Sequence, residues 1–235
     1  LAGALGSAVV ILAMSETGTR FLAAQAERWL PLRIEGERGT LWRNVAADRV
    51  SYSMPGRTVV IEDLGVELRL FPVLFDNRLE LESVRASRVA AVESGEPAPP
   101  GDPARLALPF MPIDIRLDRL EIDRIEWPGA PVIAVRGAAA WTSAGVRVDA
   151  LEVTGEGLEA ALSGTLSGTL RPTLDASVRW ALPAAGWQGR GTFAGPVERL
   201  AVEHAVEGDY LVEIAGTADL AVPAEPAGAV PVTVA

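Results

Sequence analysis

The chain has 235 residues, a net charge of −10 and no cysteine, and every one of its 21 cationic side chains is arginine. Phosphate neutralisation dominates nucleic-acid binding, so an acidic chain without a basic stripe argues against nucleic acid as a partner, and the missing cysteines exclude a disulfide framework and thiolate metal sites. Counting glycine, roughly 58% of the residues are apolar against about 45–50% in an ordinary soluble domain, an excess that a membrane segment and an apolar surface outside a closed core would together supply, with a generally alanine-rich composition as the competing explanation.

Leu1 to Met14 carries no charge and consists mainly of Leu, Ala, Gly, Val and Ile. The run is shorter than the roughly 20 residues of a spanning helix. Because the chain opens on Leu rather than Met, it reads as the cropped end of a longer anchor, with Val9, Val10, Ile11 and Leu12 in the bilayer. A cleaved signal peptide, with Ala13 and Ser15 as small residues for the cleavage site, is the competing reading. The helical pattern runs on through Phe21, Leu22, Ala26, Trp29 and Leu30, which favours the uncleaved anchor. Residues 1–30 are therefore expected to form a membrane-anchor and amphipathic helix that Pro31 ends.

Strands follow. Leu32 to Trp42 and Val45 to Met54 lead through a Pro55-Gly56 turn to the strongest pattern in the chain, Arg57 to Val84. Leu64, Val66, Leu68 and Leu70 alternate with Gly65, Glu67 and Arg69, as in a strand with one dry and one wet face. After a break at Phe71 to Asn77, Leu79 and Leu81 resume against Arg78, Glu80 and Glu82. Ser94 to Pro112 is an aperiodic Pro, Gly and Ala loop, read as an insertion in one continuous sheet domain spanning 31–235. Ile113, Ile115 and Leu117 then alternate with Asp114, Arg116 and Asp118, and the phase slips near Arg119, which predicts a bulge or turn.

Val146 to Val153, Leu158 to Leu170 (with Leu162 and Leu166 on the dry side), Val178 to Leu182, Leu200 to Val206 and Tyr210 to Leu220 read as further strands. Gly-Thr recurs at Gly39, Gly164, Gly168, Gly191 and Gly216, the later copies one hairpin apart, as in a stacked β architecture. The pattern is still running at Val234-Ala235, which reads as a piece of a longer chain.

Catalytic motifs are weak. Gly155, Gly157 and Ala160 match G-x-G-x-x-A with Asp175 downstream, but alternation follows where a dinucleotide site needs a helix. The single histidine, His204, lies on the apolar parity of its strand and reads as a packed residue. The carboxylates near Asp114 each have an arginine neighbour, the pattern of a solvated sheet surface rather than of a paired acid and base. No metal site, no cofactor and no enzymatic activity are expected.

The order of segments resembles the N-terminal part of the TamB family, the translocation and assembly module subunits within the wider AsmA-like group. An apolar helix comes first, then Thr17-Gly18-Thr19-Arg20-Phe21-Leu22 and Trp29-Leu30-Pro31. Leu32-Arg33-Ile34-Glu35-Gly36, Val59-Val60-Ile61-Glu62-Asp63-Leu64, Leu79-Glu80-Leu81 and the stretch Ile113 to Ile122 follow. The resemblance implies a mainly β fold: a membrane helix followed by an elongated, curved antiparallel β-sheet with an apolar, taco-like groove. It also implies a single-pass protein of the bacterial inner membrane with its bulk in the periplasm. Its implied partners are phospholipid, the inner membrane and an outer-membrane barrel protein of the TamA type, the last through regions absent from this chain.

Two functions fit. In the first, the protein is a conduit in which Leu64, Val66, Leu68, Leu70, Leu79, Leu81, Ile113, Ile115, Leu117, Leu162 and Leu166 line a groove for acyl chains. In the second, it is a scaffold for outer-membrane protein assembly, whose sheet edges bind client strands by β-augmentation.

Overall fold

The computed structural model describes residues 15–40, 42–54, 56–93, 113–168 and 172–219. The chain divides into two compact units, Leu1–Pro100 with Ile115–Arg136, and Gly101–Asp114 with Gly137–Ala235.

The first unit opens with helix α1, Glu16–Trp29. Ser15 caps it, its Oγ accepting the Gly18 N–H at 3.0 Å, and Glu16 and Arg28 complement the helix dipole at its two ends. Pro31 stops the helix, and its carbonyl accepts the Ser53 N–H at 2.8 Å. Strands β1 (Leu32–Glu35), β2 (Arg38–Thr40), β3 (Asn44–Met54) and β4 (Arg57–Arg69) follow, then helix α2 (Phe71–Asp76), β5 (Arg78–Ala86), β6 (Arg88–Glu93) and β7 (Asp114–Glu126). The hydrogen-bonded order is β1-β3-β4-β5-β7, with β2 on β3 and β6 between β4 and β7. Among the described residues no helix is long and apolar enough to cross a membrane. The expected anchor, including Val9, Val10, Ile11 and Leu12, lies outside the described residues, as does the loop 94–112.

One expectation is filled in here and two are corrected. The stretch read as a break between β4 and β5 is α2, which six residues make too short to show helical periodicity. Leu70 is not the last position of a strand: it adopts helical angles as the cap of α2, two residues before Pro72 in the first turn. The sheet is also not wholly antiparallel, because β6 and β7 pair in parallel, Val89 with Ile125 and Ala90 with Glu126. A parallel pair needs a crossover of a dozen or more residues, a length that 94–112 supplies.

The apolar parity in this unit changes along the strands. Val59 and Ile61 of β4 face Tyr52 and Val50 of β3 and Ala91 and Val89 of β6, so here the apolar positions of β4 are odd-numbered. Further on, Leu64 and Val66 face Ala47 and Val45, Val66 faces Val84 and Leu68 faces Leu81, all even-numbered in β4. Side chains alternate with a period of two, so a regular strand would send the two sets to opposite faces. The offset falls at Asp63, whose φ of 51° is the left-handed conformation that Asp tolerates better than most residues. Asp48 opposite it and Ser87 beyond it are likewise skipped by the ladder pairs. Three neighbouring strands therefore change phase at one level and keep their register. A second irregularity, between Glu67 and Leu68, places Glu82 as an extra residue in β5. In β7, Asp118 and Arg119 are both exposed, the expected slip, and Asp123 and Arg124 repeat it.

The second unit is an antiparallel ladder of β9 (Gly145–Gly155), β10 (Leu158–Ser167), β11 (Thr173–Leu182), β12 (Trp187–Pro196), β13 (Arg199–Glu207) and β14 (Leu211–Asp219). A 3-10 turn at Pro183–Ala185 joins β11 to β12, and β8 (Ile133–Thr142) crosses the boundary between the units. Gly155 and Gly157 sit at the hairpin between β9 and β10, so strand rather than helix follows the G-x-G-x-x-A match.

Candidate functional site

Each unit presents one face made of aligned apolar rows. In the second unit, Leu151, Leu162 and Val178 are directly opposite one another on β9, β10 and β11, and the row continues through Gly191, His204 and Ile214. The next row is Val153, Ala160, Trp180, Gly189, Val206 and Val212. Leu166 lies opposite Val146 and Leu174 on the same face. A register shift between Leu162 and Gly164 puts an extra residue into β9 and holds Val148 and Leu151 in phase across it.

Glycines on this face make room for rings. A Cβ on Gly189 would lie 2.5 Å from Trp180 Nε1, and one on Gly191 2.5 Å from His204 Nδ1. Both rings therefore lie over the neighbouring strand. Trp180 Nε1–H donates to His204 Nε2 at 3.2 Å, with the rings near parallel at 14° and 6.1 Å between centroids. This agrees with the packed reading of His204: its ring nitrogen is engaged by Trp180 on an apolar face.

In the first unit, Leu64, Val66, Leu81 and Leu79 are half-buried while Leu68 retains 9% of its surface. Ile115 and Leu117 are half-buried on β7, and Ile113 lies just before that strand. Leu70 is set apart from these as the cap of α2. The alternation argument missed Val50, Val59, Ile61, Val84 and Val89, which the register places in the same rows or continues across the phase change. The signal for them was present: Val59-x-Ile61 is followed by Leu64 at a spacing of three.

Burial is shallow throughout. Among the described residues the buried apolar side chains are Ala47, Val60, Leu68, Ala86, Ala90, Val135, Ala176 and Leu200, and no large side chain is fully enclosed. An ordinary core encloses its large aliphatic side chains against a second layer. Two open clefts of about 530 and 780 Å³ lie on the second unit. Their linings are mixed: Leu151, Leu162, Val178 and Ile214 contribute to the larger one beside Arg179 and Arg190, so neither is a purely apolar groove.

The polar face is laced by ion pairs two residues apart on one strand: Arg33–Glu35 at 3.0 Å, Arg116–Asp118 at 2.7 Å and Arg147–Asp149 at 2.9 Å. This is the solvated surface expected of alternating acids and bases. A denser cluster joins three strands, with Arg88 donating to Glu126 and, at 3.4 Å, to Glu62. The Arg88 hydrogen bond, reinforced by its charge and by Arg124, holds the Glu126 carboxyl below the ordinary carboxylate range. The same hydrogen bond from the other side raises the Arg88 guanidinium further. Nearby, the Arg57 guanidinium stacks 5.1 Å from the Trp127 ring.

Compared with known families, residues 5–127 match the model of the TamB N-terminal domain. No curated protein and no solved structure matches the chain.

Proposed function

The chain belongs to the TamB family, and on that premise we propose that it is a membrane-attached periplasmic protein that carries phospholipid along the apolar faces of its sheet towards the outer membrane. The observation that carries this reading is the pairing of continuous apolar rows with shallow burial: Leu64, Val66, Leu79, Leu81 and Leu162 are half-buried rather than enclosed. Such side chains leave apolar area that an acyl chain can cover, and each methylene so removed from water contributes about 0.8 kcal/mol. Polar side chains alternate with them at every strand, so head groups have water and charge within reach. In this reading the protein performs no catalytic step. Its single histidine is bonded to Trp180, and its carboxylates are set among arginines.

The test is phospholipid content, measured by mass spectrometry on the full chain purified from membranes, beside far-UV circular dichroism melts. Wild type is expected to retain phospholipid. Leu81→Glu and Leu162→Glu are expected to stay folded and lose it, since a half-buried side chain can turn its charge to water. Leu68, nearly enclosed, is the wrong place for this test. Folded variants with undiminished lipid would refute the conduit, and wholesale unfolding of both would point to a sealed core.

A further inference from the structure

We propose that α2 rests on a lipid bilayer surface through Phe71 and Phe75, giving the first unit a second contact with the membrane beside the apolar N-terminal run. The two rings are four residues apart and so share one helix face. Their centroids are 4.9 Å apart, and they remain 61% and 72% exposed. Two adjoining phenyl rings left mostly in water make one contiguous apolar patch, the kind of surface that marks an interaction site.

The position of α2 names the occupant. β4 reaches α2 just past Glu67, which pairs with Asn44 at the start of β3, and the Leu68 N–H donates to the Arg43 carbonyl at 3.1 Å. α2 therefore sits at the β2–β3 turn end of the unit. α1 packs against both β1 and β2. Its last turn is joined to β1 at the opposite end, where Pro31 meets Ser53, so its first turn points back towards the β2–β3 turn. The charge-free run Leu1 to Met14 precedes that first turn in sequence. A segment composed for lipid thus joins the unit at the end where Phe71 and Phe75 are exposed.

Area argues the same way. Two phenyl rings on a six-residue helix fall far below the roughly 1,000 Å² that a stable protein interface buries, which disfavours a partner protein or a second copy. A contact tethered beside a membrane segment needs no such area, because tethering supplies the effective concentration. The charges around α2 are compensated, Arg78 by Asp76 at 3.6 Å and Glu80 at 3.3 Å, and Arg69 by Glu82. The contact is therefore apolar insertion at the headgroup boundary, indifferent to anionic lipid and to salt.

This inference rests on the membrane attachment proposed above, and the experiment separates the two. The chain has no cysteine, so a fluorophore is placed on Asp76→Cys, beside the rings, or on Ser53→Cys, an exposed position roughly 30 Å along β3. Full-chain protein is reconstituted into phosphatidylcholine vesicles carrying a nitroxide near the headgroup. The expected result is quenching at position 76 and not at 53, unchanged by added phosphatidylglycerol or salt, and lost when Phe71→Ser and Phe75→Ser are introduced together. Protein that floats with the vesicles but shows no quenching at 76 overturns the inference and leaves the attachment standing. Protein that does not float overturns both. Self-quenching that grows with protein concentration, in place of lipid quenching, overturns it in favour of a second copy.

Discussion

Gly189→Ala is the substitution whose cost follows most directly from the geometry. The backbone of β12 is fixed at this point by ladder pairs on both sides, Trp180 with Gly189 and Gly189 with Val206. The new methyl would lie 2.5 Å from Trp180 Nε1 and 2.6 Å from Cζ2, and ordinary contact starts near 3.4 Å, so the indole has to move by about an ångström. Leaving its rotamer costs about 0.5–1.5 kcal/mol. Breaking the bond from Nε1 to His204 costs about as much again. Replacing a strand glycine returns roughly 0.5–1 kcal/mol, which leaves a net change between about 0 and a loss of about 2.5 kcal/mol. The assay is a double-mutant cycle in urea, read by far-UV circular dichroism, with Trp180→Ala as the second change. If the ring is the cause, Gly189→Ala should be near neutral or stabilising in the Trp180→Ala background, with a coupling energy of about 1–3 kcal/mol. A cost that is the same in both backgrounds would refute the reasoning.

Asp63→Ala should destabilise the first unit by about 2–3 kcal/mol, since a Cβ residue without a polar side chain is strained at positive φ and the 2.7 Å hydrogen bond from Ser87 Oγ is lost; Asp63→Gly should cost clearly less, and the same urea titration compares them. Arg116→Gln should change stability by under about 0.5 kcal/mol despite its ion pair with Asp118, because exposed strand charges contribute little; a loss of several kcal/mol would reverse the assignment of that face. Glu126, with its folded pKa held below the ordinary 4.5, contributes stability that is present above that value and lost as pH falls through the depressed one. Arg88 stays charged over the whole range, so Glu126→Gln should flatten the acid limb of a stability-against-pH curve, and an unchanged limb would show that the pair is not responsible.

Much of this fold was legible because alternation is a backbone property: Leu64 to Leu68, Leu79 and Leu81, and Ile115 and Leu117 occupy strands as their period of two requires. β12 was harder to see because Gly189, Gly191 and Gly195 lower strand propensity. Gly189 and Gly191 answer to Trp180 and His204 on the adjacent strands, a demand that local sequence does not express. β8, with Ala138, Ala139 and Ala140 in succession, likewise owes its strand state to its partners. The parallel pairing of β6 with β7 leaves no local mark at all. Leu64, Val66 and Leu68 share one parity on β4, but continuing that parity through Asp63 would have put Val59 and Ile61 on the wrong side.

The level marked by Asp48, Asp63 and Ser87 also has a mechanical meaning. Ladder hydrogen bonds make a sheet stiff against bending across its strands, and at this level β3, β4 and the β5–β6 path all omit them. What remains is a stitch: Ser87 donates its N–H to the Glu62 carbonyl at 3.1 Å and its hydroxyl to Asp63 at 2.7 Å. A load carried along the strands meets a level here with fewer ladder pairs than the rows on either side, which is where bending is expected to cost least. The stitch holds the two sides of that level together, and a unit loaded along its strands is expected to yield first at this line.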